Sequence, residues 1–117
     1  MQAQFSRFGE VELEGAQYTE DVVIDKGKIR LRNKDASRPL KAGYGHTPLS
    51  EREDIPWDCS RLIIGTGANG KLPITDEVRS TAQQRGVELI AVPTEQACAL
   101  LRMADLATTN AILHLTC

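Results

Sequence analysis

Residues 65–72, Gly65-Thr66-Gly67-Ala68-Asn69-Gly70-Lys71-Leu72, fit two phosphate-binding patterns at once. As G-x-G-x-x-G they match a dinucleotide fingerprint, in which bare glycines let the backbone approach a pyrophosphate. As G-x-x-x-x-G-K they fall one position short of a P-loop. That position carries the chemistry, because the hydroxyl after the lysine ligates Mg²⁺ and a helix opening there turns its dipole toward phosphate. Here the residue is Leu72, and Pro73 follows. Nucleotide hydrolysis therefore lacks its metal ligand. The dinucleotide pattern also needs an acidic residue ~20 positions on, at the end of a strand. Glu88 stands at the start of its strand instead. What remains is a tight turn in which glycines supply positive φ, with successive amides able to form an anion-binding nest and Lys71 adding charge. The candidate site for a small anionic ligand is thus Gly65, Thr66, Gly67, Gly70 and Lys71. Thr94 joins it from a helix start, and His46 from a turn-rich segment.

The other reactive side chains are His114, Cys59, Cys98 and Cys117. His46 lies in Gly43-Tyr44-Gly45-His46-Thr47-Pro48, where it either projects into a cleft or caps the turn. His114 sits in an apolar strand and reads as a satisfied core histidine. Cys117 would point to the opposite face of that strand, so local sequence does not pair the two. Cys98 falls within a helix as a small core residue. No metal-ligand spacing emerges from this set, and neither a metal nor a cofactor is expected. Three cysteines without a C-x-x-C pair suit reduced thiols and a cytoplasmic location.

These residues must be positioned by three kinds of segment. Val11 and Leu13 alternate with Glu10, Glu12 and Glu14, as in a strand with one wet face. Val22-Val23-Ile24 and the alternating Ile29 and Leu31 flank Asp25-Lys26-Gly27-Lys28, a hairpin turn signal. Residues 1–32 therefore read as a small antiparallel meander. Residues 33–60 read as an irregular crossover, broken by Gly43, Gly45, Pro39, Pro48 and Pro56, with room for one helical turn at 50–54. Residues 61–117 read as a βαβαβ layer. Residues 61–64 and 87–92 look like strands buried on both faces. Thr75 caps a helix that ends near Arg85 and Gly86. Thr94 caps a second, with Ala97, Leu100, Leu101 and Ala104 on its apolar stripe. Residues 111–115 form the last strand. The expectation is a single α/β domain over 1–117, with parallel βαβ pairing and the meander packed beside it.

Composition narrows the function classes. A chain of 117 residues with 41% hydrophobic and 26% charged residues is globular in type. The net charge of −2 argues against bulk attraction to nucleic acid. The one basic stretch, 26–41, holds seven basic residues and one acidic. It lacks the interleaved aromatics that stack on bases, and cross-strand pairing with Glu10, Glu12 and Glu14 would absorb its charge. No run approaches the ~20 apolar residues of a membrane span. The start, Met1-Gln-Ala-Gln-Phe-Ser-Arg-Phe, shows no signal-peptide pattern.

With its segments laid out, the chain resembles a small α/β family of unknown biochemical function first seen in a methanogen protein. That family includes the adipogenesis-associated domain protein and a mitochondrial complex I assembly factor. The resemblance rests on Gly45-His46-Thr47-Pro48, Leu62-Ile63-Ile64-Gly65-Thr66-Gly67, Pro73, Pro93-Thr94-Glu95-Gln96-Ala97 and the closing His114-Leu115-Thr116-Cys117. It implies a three-layer α/β fold with a mixed central sheet and a β layer beside it, and no particular reaction. The function expected is a non-catalytic binding or assembly module acting on another protein. The alternative is a small enzyme or sensor that binds an anionic metabolite at the 65–71 loop.

Overall fold

Alternating apolar and acidic residues build the first sheet. Strands β1 (Ala3–Arg7), β2 (Glu10–Leu13) and β3 (Ala16–Tyr18) pair antiparallel in the order β1-β2-β3. Val11 and Leu13 are fully buried, while the alternating Glu10 and Glu12 are half-buried and Glu14 is exposed. The computed structural model describes residues 1–117 throughout.

Strands β4 (Val22–Asp25) and β5 (Lys28–Leu31) form the hairpin that the turn signal predicts. Lys26 and Gly27 take φ of 52° and 79°, the left-handed pair that a two-residue hairpin loop requires. The hairpin is not part of the 1–32 meander, however. It belongs to a second, five-stranded sheet. Val22, Val23 and Ile24 are apolar on both faces and almost wholly buried, so β4 needs cover on two sides. The interior of a central sheet provides that cover; a meander with one wet face does not.

The 33–60 segment is less irregular than its sequence suggests. It opens with a 3₁₀-helix, Lys34–Leu40, and the single-turn α1 (Lys41–Tyr44). No helix forms at 50–54, where Pro56 follows and the chain turns instead. The remainder comprises β6 (Arg61–Thr66), α2 (Asp76–Gln84), β7 (Glu88–Val92), α3 (Thr94–Met103) and β8 (Thr109–His114). The sheet order is β5-β4-β8-β6-β7. Strand β6 runs parallel to both β7 and β8, and β4 runs antiparallel to β8 and β5, so the sheet is mixed. Strand β7 is an edge strand rather than a doubly buried one, because α3 carries the chain back across β6 to place β8 in the centre.

Side-chain alternation divides the core into two. Val22, Ile24, Ile63, Ala111 and Leu113 face the meander and α3. Val23, Leu62, Ile64 and Ile112 face α2 and the chain near Leu49 and Ile55. The result is the expected three-layer α/β arrangement, with the β meander and α3 on one side of the sheet and α2 on the other. Each fully buried Ile, Leu or Val contributes about 1.5–3 kcal/mol. On α3 the buried stripe is Thr94, Ala97, Cys98 and Leu101, one position back from the expected one; Leu100 is exposed and Ala104 lies past the helix end.

The basic residues of 26–41 pair elsewhere than expected. Arg32 bonds Asp21 and Glu53, Arg30 approaches Asp54 and Lys26 approaches Asp58. Glu10 and Glu12 lie in the other sheet and Glu14 in the turn after it, out of the hairpin's register.

Candidate functional site

The parallel strands β6, β7 and β8 end together at Thr66, Val92 and His114. The glycine loop leaves β6 at this edge, as the sequence implies. Its amides are all engaged by the chain itself. The Gly67 amide donates to Thr94 Oγ1 at 2.9 Å. The Ala68 amide donates to the Thr116 carbonyl at 2.8 Å, and those of Asn69 and Lys71 donate to the Cys117 main-chain oxygen at 3.1 and 3.2 Å. Gly70 N donates to Gly67 O at 3.2 Å, and Leu72 N to Thr66 O at 3.0 Å. Gly67, at φ 105°, lies so close to the 116–117 segment that a Cβ would come within 2.6 Å of the Cys117 carbonyl carbon. A side chain there would collide with backbone.

Thr94 ties this loop to the sheet. It is fully buried, and Pro93 rather than Thr94 is the residue that precedes the helix. The Thr94 hydroxyl donates to the His114 carbonyl at 2.5 Å while accepting from Gly67, and its own amide donates to Gly67 O at 3.1 Å. Gly65 leaves room for it, since a Cβ there would stand 2.9 Å from Thr94 Oγ1. Gly65, Thr66, Gly67, Gly70 and Thr94 therefore come together with the Lys71 backbone. Thr66 is buried, and Gly70 and Lys71 are exposed. His46 is half-buried, just after the left-handed Gly45 that ends α1, and no bond connects it to the loop.

Beneath the loop lies a buried charge network that the sequence reading missed. The Arg32 side chain, 1% exposed, sits between two carboxylates: Nη1 is 2.9 Å from Asp21 Oδ2, and Nε and Nη2 reach the two Glu53 oxygens at 2.7 and 2.9 Å. Nη2 also donates to the Pro48 carbonyl at 3.1 Å. Ser37 donates to Glu53 Oε2 at 2.6 Å and meets Ser50 at the same distance. Asp21 accepts from the Leu115 amide at 2.9 Å and contacts His114 Nδ1 at 2.7 Å. No buried side-chain polar atom lacks a partner. Burial works to raise the Asp21 pKa, but the hydrogen bond and charge of His114, the Leu115 amide and Arg32 outweigh it and hold it below the usual value. Burial likewise opposes the Arg32 charge, yet Glu53 and Asp21 leave its pKa raised.

The His114 ring joins the network to the loop. Its Cδ2 lies 2.9 Å from where a Gly67 Cβ would stand, and Nε2 is 3.3 Å from Thr116 Oγ1. Carboxylate, imidazole and hydroxyl thus stand in the order that nucleophilic catalysis uses. The amides that would stabilise an oxyanion beside them are, however, donated to residues 116 and 117. No group of three or more His, Cys, Asp or Glu side chains is placed to hold a metal ion. Asp21 and Arg32 did carry a signal, because each is a charged residue directly flanking an apolar strand of one hairpin. Glu53, Ser37 and Ser50 carried none, for they come from a segment without periodicity.

A three-layer α/β protein with a mixed five-stranded sheet, a self-engaged glycine loop and a buried Asp–Arg–Glu network is the class that this geometry defines. A family model matches residues 5–103, and the chain belongs to that family, described as protein of unknown function (DUF498/DUF598). Among solved structures it is similar to the conserved hypothetical protein PH1505 from Pyrococcus horikoshii OT3, at 28% identity over all of both chains, with a TM-score of 0.81. A protein described as MT938 shares the fold at 24% identity over 98% of this chain and 99% of that one, with a TM-score of 0.68. Xanthomonas campestris XCC1710 shares it at 12% identity over 94% and 81%, with a TM-score of 0.62. No curated protein matches the chain. No helix is long and apolar enough to cross a membrane.

Proposed function

We propose that residues 1–117 act as one unit, a non-catalytic binding module for assembly of other proteins in the cytoplasm, and that β7 is where an extended partner segment adds to the sheet. The two edges of the central sheet carry this reading by their contrast. Strand β5 is Lys28-Ile29-Arg30-Leu31, whose alternating cations protect a free edge. Strand β7 is Glu88-Leu89-Ile90-Ala91-Val92, with no charge after its first residue. Its Leu89 and Val92 pack partly against the two core clusters, whereas Ile90 is only half-buried and belongs to neither. An edge that is apolar, unpaired and unguarded suits strand addition, in which main-chain bonds give affinity and side-chain pockets give selectivity. The resemblance to a family with an assembly factor among its members supports the same class.

Affinity purification under native conditions tests the proposal, comparing the wild type with Ala91→Lys. Ala91 is exposed, so the lysine charges the edge without entering the core. A partner retained by the wild type and lost by the variant is the expected result. Recovery of the chain alone, or equal recovery of the same partner with both, would overturn it.

A further inference from the structure

The three amides of Ala68, Asn69 and Lys71 converge on main-chain oxygens of two successive residues, Thr116 at 2.8 Å and Cys117 at 3.1 and 3.2 Å. We propose that the 65–71 loop is a binding site for a small oxyanion, a phosphate or a carboxylate, and that residues 116–117 occupy it and hold it closed. The inference is independent of the β7 edge.

The tail oxygens stand in for the oxygens of the anion. Asn69 and Lys71 share one acceptor, while Ala68 takes the carbonyl of the preceding residue, so three donors serve two oxygens of one short segment. Asn69 and Lys71 share that acceptor on either side of the left-handed Gly70, the kind of backbone concavity that holds an anion. When the tail is out, those donors have no partner, and the exposed Lys71 adds positive charge beside them.

The plug is also lightly anchored. Leu115 is 1% exposed and is the last fully buried side chain, whereas Thr116 and Cys117 are only half-buried. Besides the loop amides, the only further bond of this segment is the 3.3 Å contact from Thr116 to His114. Parting residues 116 and 117 from the loop therefore breaks few contacts and leaves the core, closed at Leu115, intact. An intramolecular plug competes at a high effective concentration, so a free anion binds the closed chain weakly and the opened chain well.

The experiment follows the backbone amide signals of Ala68, Asn69 and Lys71 by NMR during titration with inorganic phosphate and, separately, with acetate. Three forms are compared: the whole chain, the chain ending at Leu115, and the whole chain with Gly67→Ala, whose added methyl collides with the 116–117 backbone and also crowds the His114 ring. Saturable shifts in either opened form, with at least tenfold weaker binding in the whole chain, are expected; the anion that binds identifies the class. Lys71→Ala in the opened form should weaken that binding. Absence of saturable shifts in every folded form, or equal affinity in closed and opened chains, overturns the proposal. Should neither opened form fold, the whole chain alone decides: high phosphate or acetate must perturb these three amides first, and perturbation elsewhere only overturns the site.

Discussion

Asp21 and Arg32 face each other across the β4–β5 hairpin, with Arg32 Nη1 2.9 Å from Asp21 Oδ2 and the Arg32 amide 2.8 Å from the Asp21 carbonyl. The guanidinium bridges two buried carboxylates, those of Asp21 and Glu53. Removing it leaves two desolvated carboxylates without their guanidinium, Asp21 with only His114 and the Leu115 amide and Glu53 with the Ser37 hydroxyl. Breaking a buried pair in this way costs about 3–5 kcal/mol, far more than an exposed ion pair contributes. Arg32→Met should therefore lower stability by that order in urea unfolding at neutral pH, while Arg38→Met, at an exposed pair with Asp35, should change it by less than about 1 kcal/mol. Equal effects at the two positions would contradict this account.

The same network makes stability depend on acid. The Asp21 pKa in the folded chain lies below its ordinary 3.8, so the unfolded chain takes up the proton first as pH falls. Its stabilising contribution is complete above that ordinary value and is lost as pH drops through the folded one. Asp21→Asn should flatten the fall of urea stability between about pH 5 and pH 2, and leave the chain less stable at pH 7. A variant whose pH profile ran parallel to the wild type would show that other carboxylates carry the acid dependence.

Thr94 offers a test of the loop's anchoring. Its hydroxyl is both the acceptor for Gly67 N and a donor to His114 O, in a fully buried position. Thr94→Val keeps the shape and strands two buried polar groups, at about 1–3 kcal/mol each. Thr94→Ser keeps both bonds and loses one methyl, worth about 0.8 kcal/mol. Thermal unfolding should rank wild type, Ser and Val in that order, with the larger gap before Val. Equal losses in Ser and Val would mean that packing, not the hydroxyl, holds the loop.

What could be read from the sequence follows from how local each feature is. The two-residue turn at Lys26-Gly27 pairs Asp25 with Lys28, and counting outward pairs Val22 with Leu31. One step further sets Asp21 opposite Arg32, so half of the buried network was legible from turn chemistry. Assigning the hairpin to the meander, however, directs its cations to Glu10, Glu12 and Glu14, whereas it belongs to the five-stranded sheet. The helix from Thr75 and the three-layer α/β class were equally legible, since caps and apolar periods act over a few residues. Glu53, Ser37 and Ser50 were not, because they reach the site from a crossover with no period. The loop–tail contact needed the β6–β8 register. Arg61 lies opposite Thr109 and Thr66 opposite His114. Continued two residues, that register sets Ala68 beside Thr116, but no sequence pattern says that these two strands are neighbours.

Cysteine reactivity separates the core thiol from the tail thiol. Burial pushes the Cys98 pKa up to about 11, with Arg102 opposing only weakly, and the side chain is 1% exposed. Relative to the ordinary thiol value of 9.0, the thiolate fraction of Cys98 at pH 8 falls by about 100-fold. Burial raises the Cys59 pKa as well, so it too should react slowly. Cys117 is only half-buried, beside the glycine loop, so reagent reaches its thiol more readily than that of Cys98. A timed iodoacetamide reaction at pH 8, read by peptide mass spectrometry, should modify Cys117 first and Cys98 last. In urea all three should label at similar rates. Native labelling of Cys98 as fast as Cys117 would mean that α3 opens far more readily than its buried stripe allows.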